Sequence, residues 1–184
     1  MKTIRHKTLL ILILSVISGF LNAGNLNEKW SFGFGVGSSF IKNMGKEYDY
    51  GKKFSLDFVL DLTHKINKKS VISFKFEFHP FKTDESSEII DDLDNSRLLY
   101  SYLTYYYKIF ENLSLGLSFG RLDQFKYYNN EYDYHISDIF LGSNIKFDVL
   151  HLQSGMISLD SYFRYHLIQK YAGVGINLIY NFGI

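Results

Sequence analysis

The feature that most constrains this chain is a two-residue alternation of apolar and polar side chains, repeated in eight segments. In the first, Trp30, Phe32, Phe34, Val36 and Phe40 share one face, and Ser31, Gly33, Gly35 and Gly37 share the other. The second sets Leu56, Phe58, Leu60 and Leu62 against Ser55, Asp57, Asp61 and Thr63. The third sets Ile72, Phe74, Phe76 and Phe78 against Ser73, Lys75, Glu77 and His79. The same period recurs over residues 99–109, 113–120, 138–147, 157–166 and 173–182. Successive side chains of a strand point to opposite faces, so each segment reads as a strand with one apolar and one polar side. A single Pro and 18% aromatic residues suit strands better than helices.

Each strand runs about ten residues, the length a tilted strand needs to cross a bilayer. Connections 41–53, 80–97 and 123–134 read as long and polar, while 64–69, 110–112 and 148–151 read as short. The last connection, near Leu167–Lys170, is also short. Long loops on one side, short turns on the other and an even strand count describe one all-β domain. The expected fold is an eight-stranded antiparallel up-and-down transmembrane β-barrel over residues 24–184.

The apolar faces carry the physical case. No Asp, Glu, Lys or Arg falls across their middles. With 21% of the chain charged, on the order of eight charges would fall by chance on roughly forty such positions, and each costs about 2–4 kcal/mol at the bilayer midplane. A soluble barrel with the apolar face inside is the competing geometry. An eight-stranded bore is just wide enough for side chains, and a wall of Phe, Leu, Ile and Tyr is too bulky to fill it. The polar face of Gly, Ser, Asn and a few charges fits that bore.

Residues 1–23 read as a secretory signal peptide. Lys2, Arg5 and Lys7 precede an apolar run from Leu9 to Leu21, and Ala23 offers a small residue for cleavage. The run is shorter than the roughly 20 residues of a spanning helix. The absence of Cys excludes disulfides and thiolate metal sites. The precursor's formal charge is +1, and loss of the three n-region cations leaves about −2, no basis for a nucleic-acid partner.

This pattern resembles the small outer-membrane barrels that include OmpX, the OmpA barrel and opacity-type proteins. The resemblance covers the whole mature chain and rests on pattern more than on motif. Tyr171, Gly173, Ile176 and Leu178, continued by Tyr180 and Phe182, resemble the terminal-strand signal read by the barrel-assembly machinery. Such chains usually end in Phe or Trp, whereas this one ends Phe182-Gly183-Ile184. The resemblance implies a location in the cell outer membrane, contact with outer-membrane lipids and lipopolysaccharide, and a non-enzymatic structural or adhesin-like role through the loops.

Several residues are candidates for more than scaffolding. Asp57, Asp61, Glu77 and Asp160 face inward with Lys75, Lys108, Lys146 and Arg164. Buried charges are expensive unless paired, so a mutually paired lumen network is the expectation. The segment Phe125–Tyr134, with Tyr127, Tyr128 and Tyr132, reads as a hairpin turning at Asn129-Asn130, whose open edge could add a strand from an extracellular protein partner. Tyr100, Tyr102, Tyr105, Tyr106 and Tyr107 read as an aromatic belt at headgroup level.

Lipid A deacylases are a second resemblance, since they are eight-stranded barrels with a His-x-Ser-Asn stretch near the end of the seventh strand. His166 matches in position, but Ile168 and Gln169 stand where the Ser and Asn belong. Acyl transfer needs that hydroxyl. The acidic loop at 80–97 lacks the spacing of a Ca²⁺ loop. No cofactor, metal or catalytic residue is expected.

Overall fold

The computed structural model describes residues 29–43, 53–80, 97–128 and 131–183, with backbone alone at 41–43, 53–54, 80, 126–128, 131–136 and 183. Eight strands run β1 (Trp30–Asn43), β2 (Lys53–Lys65), β3 (Ser70–Pro80), β4 (Arg97–Phe110), β5 (Leu113–Tyr128), β6 (Glu131–Leu152), β7 (Gly155–His166) and β8 (Tyr171–Gly183). Each pairs antiparallel with the next, and β8 returns to β1 to close the barrel.

Register around the wall sets the shape. Ladder partners lead from Trp30 through His64, Ile72, Tyr105, Leu117, Ser143, Phe163 and Val174 to Phe40. One circuit therefore climbs 10 residues along β1. Such a stagger tilts the strands by roughly 35–45° and leaves a bore that side chains fill.

The two faces separate as their chemistry requires. Val36, Phe58, Leu103, Leu117, Phe119 and Ile145 are among the large apolar side chains exposed on the outside. The buried set is dominated by Asp, Glu, Lys, Arg, His, Ser, Thr and Asn. A charge-free apolar exterior around a polar interior is the arrangement of a barrel whose solvent is lipid. Arg121, Asp123 and Ser137, hydrogen-bonded to one another on the outside of β5 and β6, mark the upper end of that belt.

Three local expectations need correction. Residues 148–151 are strand, and the turn falls at 153–154. A register shift between Asp148 and Leu150 inserts an extra residue there and breaks the alternation. The stretch 123–134 is not a polar loop but mostly ladder, in line with the hairpin reading, paired out to Tyr128 and Glu131 with its own irregularity beyond Lys126. Tyr100, Tyr102 and Tyr106 are buried in the lumen, not set at headgroup level. Tyr105 and Tyr107 do face outward. Residues 1–23, expected as a signal peptide, the acidic stretch 81–96, and Asn129 and Asn130, expected to form a turn, lie outside the described residues.

Candidate functional site

The lumen is filled by two carboxylate hubs. At mid-height Asp160 on β7 accepts from Lys75 Nζ on β3, from the Tyr106 hydroxyl at 2.8 Å and from Asn144 Nδ2 at 3.3 Å. Asp61 beside it takes the hydroxyls of Ser73 and, at 3.0 Å, Thr63. Above this layer Glu77 accepts from Tyr102 and from Asn177 Nδ2 at 2.9 Å, and it pairs with Arg164 Nη1 at 2.7 Å. Arg164 donates through Nη2 to Tyr102 at 2.7 Å and lies 3.8 Å from the ring centroid of Tyr162. His79 bridges Glu77 and Asp57, with Nδ1 2.8 Å from the Asp57 carboxylate. Both hubs tie early strands to late ones, so the network exists only in the closed barrel.

Cross-strand glycines make room for these large inward side chains. Gly120 pairs with Tyr102, Gly116 with Tyr106 and Gly175 with Tyr162. A Cβ at Gly116 would lie 2.8 Å from the Tyr106 ring, and one at Gly120 would lie 2.6 Å from the Ser101 carbonyl.

Toward the long-loop end the bore closes under Leu98, Tyr100, Tyr102, Leu122, Phe140 and Tyr171, a contiguous buried cluster. His166 sits beneath Tyr171, its ring stacked on the tyrosine at 3.8 Å. Its Nε2 is 3.4 Å from the Tyr100 hydroxyl, and its Nδ1 is 4.0 Å from Asp138. That carboxylate is already engaged. It accepts the backbone N–H of Ile168 at 3.0 Å and of Gln169 at 2.9 Å, which fixes the β7–β8 turn. Lys170 completes this turn with φ of 53°, in the left-handed region. Ile168, at the position where a deacylase would carry its nucleophile, is 64% exposed in the β7–β8 turn. Among the described residues no serine or threonine hydroxyl meets His166, and the hydroxyl that does is the buried phenol of Tyr100.

The eight inward charges therefore meet different fates. Lys75, Glu77, Asp160 and Arg164 form ion pairs, Asp57 meets His79, and Asp61 meets hydroxyls. Lys108 and Lys146 form no ion pair among the described residues and line an opening at the short-turn end. Alternation alone finds Tyr162, Asn144 and Asn177 inward too, but only the register shows that they complete the hubs. Among the described residues no group of three or more His, Cys, Asp or Glu is placed to hold a metal ion.

At the other end β5 and β6 outrun their neighbours. Among the described residues the β4–β5 ladder reaches Arg97 and Phe125, and β6 meets β7 only as far as Phe140. The hairpin ladder continues past both to Tyr128 and Glu131. Phe125 is half-buried at its base, whereas the side chains of Tyr127, Tyr128, Tyr132 and Tyr134 lie outside the described residues. In β8, Tyr171 and Gly173 face the lumen and Ile176 and Leu178 face outward, with Tyr180 and Phe182 on that same outer face.

No family model matches the chain, and no curated protein matches it in sequence. Among solved structures it is similar to neisserial surface protein A, with a TM-score of 0.65 and 10% identity over 84% of this chain and 97% of that one. It is also similar to Ail, the attachment invasion locus protein of Yersinia pestis, with a TM-score of 0.54 and 17% identity over 85% of this chain and 100% of that one. Ail in a phospholipid bilayer nanodisc gives a TM-score of 0.52 at 14% identity, over 85% and 100%. At such identities the likeness is one of fold.

Proposed function

We propose, for a chain with the fold of the small eight-stranded outer-membrane barrels, a non-enzymatic role in the cell outer membrane, exerted through the surface at its long-loop end. The observation that carries this reading is the β5–β6 hairpin. The β7–β8 connection is short, so β6 rises past β7, and from Glu131 to Asp138 it has no ladder partner on that side among the described residues. An open strand edge is a template for adding a strand from another protein. The lumen supports the same reading from the opposite direction. Its carboxylates hold one another's partners, and its upper end is filled by aromatic side chains. Proteins described as a surface protein and as an attachment invasion locus protein share this fold.

The test is to replace Lys126–Tyr134 by a two-residue Asn-Gly turn in the full precursor, expressed in a Gram-negative host. Both proteins should appear in the outer-membrane fraction and shift mobility on a gel when boiled, the mark of a closed barrel. The shortened one should lose adhesion of expressing cells to a host-cell or matrix-coated surface. Adhesion that survives the replacement excludes the hairpin as the contact element. Release of fatty acid from lipopolysaccharide by the purified protein, lost on His166→Ala, would overturn the non-enzymatic reading.

A further inference from the structure

Among the described residues the bore is filled by aromatic side chains above and open below. At the short-turn end a cavity of about 300 Å³ opens between the start of β1 and the turn regions. Lys29, Lys65, Lys68, Lys69, Lys108 and Lys146 line it, against Asp148 as the single carboxylate among the described residues. Asp148 itself accepts the Ser158 hydroxyl at 3.0 Å.

Lys146 is the telling member. It is only 8% exposed, yet it forms no ion pair among the described residues. Asp160 is its cross-strand neighbour, but that carboxylate is taken by Lys75, Tyr106 and Asn144. The contact left to the Lys146 ammonium is the face of Tyr106, 5.6 Å from the ring centroid. That ammonium lines the cavity with no counter-charge among the described residues, and an anion bound there would supply one.

We propose that this cavity binds a phosphate-bearing small molecule. Its volume admits a small ligand and not a polymer chain. Several ammonium groups around a single carboxylate favour an anion with more than one negative charge. No Arg lines the cavity, so a bidentate fork, which grips carboxylate and phosphate alike, is missing and the number of charges on the ligand governs binding. Ammonium groups act instead as point charges and meet a tetrahedral phosphate from any side. The ligand has two possible sources, a soluble phosphoester of the periplasm and the headgroup of a lipid in the adjacent leaflet. Trp30 lies at the junction, lining the cavity while partly exposed on the outside.

Trp30 is also the single tryptophan of the chain, which makes its emission a reporter of this site. The protein, folded in a neutral maltoside detergent, is titrated with inorganic pyrophosphate at constant ionic strength. The expected result is a saturable change in emission, with half-saturation raised at least tenfold by Lys146→Gln. The double variant Lys68→Gln/Lys69→Gln, on an exposed turn, should raise it severalfold and keep the boiling-dependent gel shift, so a folding defect at Lys146 does not decide the matter. A response no larger than that to sodium chloride, equal saturation by citrate, or indifference to both variants overturns the proposal. In nanodiscs, loss of the pyrophosphate response when phosphatidylglycerol replaces phosphatidylcholine assigns the site to a lipid headgroup. Persistence in both assigns it to a soluble phosphoester.

Discussion

Glu77 is fully buried and serves Arg164, Tyr102, Asn177 and His79 at once. Removing it strands the Arg164 guanidinium in the interior, where its only other described polar partner is a tyrosine hydroxyl. Glu77→Ala should therefore destabilise the barrel by about 3–5 kcal/mol. Replacing both members, as Glu77→Met with Arg164→Met, should restore most of that loss, because no unpaired charge remains. Urea unfolding in lipid vesicles, followed by Trp30 emission, separates the two outcomes; equal destabilisation by the single and double variants would contradict the pairing. Parity shows that both residues face inward, and that much is legible in the sequence. Which carboxylate meets which cation is not, since a stagger of 10 residues decides it. For the same reason an even count of inward charges did not translate into four pairs.

At the level of strands, small and large inward residues are matched across neighbours. Gly120→Ala brings a Cβ against the Ser101 carbonyl and the backbone of Tyr102. The ladder has to shift to admit it, at a cost of about 1–3 kcal/mol, visible as a lowered urea midpoint; an unchanged midpoint would show that the wall has slack at this point. The existence of all eight strands could be read from period-two alternation, because each has a continuous apolar face. Their ends could not. Alternation failed at Asp148–Leu150, where a bulge shifts the register, and β6 consequently runs longer than its pattern. The lumenal position of Tyr100, Tyr102 and Tyr106 is hard to read in the sequence for a related reason. An aromatic run resembles a headgroup belt until the opposing strand supplies Gly116 and Gly120, and that pairing is not a property of either segment alone.

On the scale of the whole molecule, the lipid-facing belt is the strongest physical constraint. Leu117 lies on it at 71% exposure, near the middle of the span. Leu117→Arg should lower stability in vesicles by about 2–4 kcal/mol, while Leu117→Phe should leave it nearly unchanged. A tolerated arginine there would mean that the belt does not meet hydrocarbon. The charge-free face made this part of the architecture the most legible from sequence. The hollow lower end was the least legible, since Lys29, Lys65 and Lys68 sit at strand ends and turns, where lysine is unremarkable.

The two hubs also govern the order in which the molecule can be made. Lys75 and Glu77 belong to the first half of the chain, and their counter-charges Asp160 and Arg164 come from β7. A nascent sheet of β1 to β4 lacks those partners, which leaves Lys75 only its ladder neighbour Asp61 and Glu77 only His79, so its interior is incompletely paired and it makes a poor stable half in hydrocarbon. Insertion, neutralisation of the interior and closure of the β1–β8 seam become one event, and the last strands to be synthesised carry the groups that permit the first to enter the membrane.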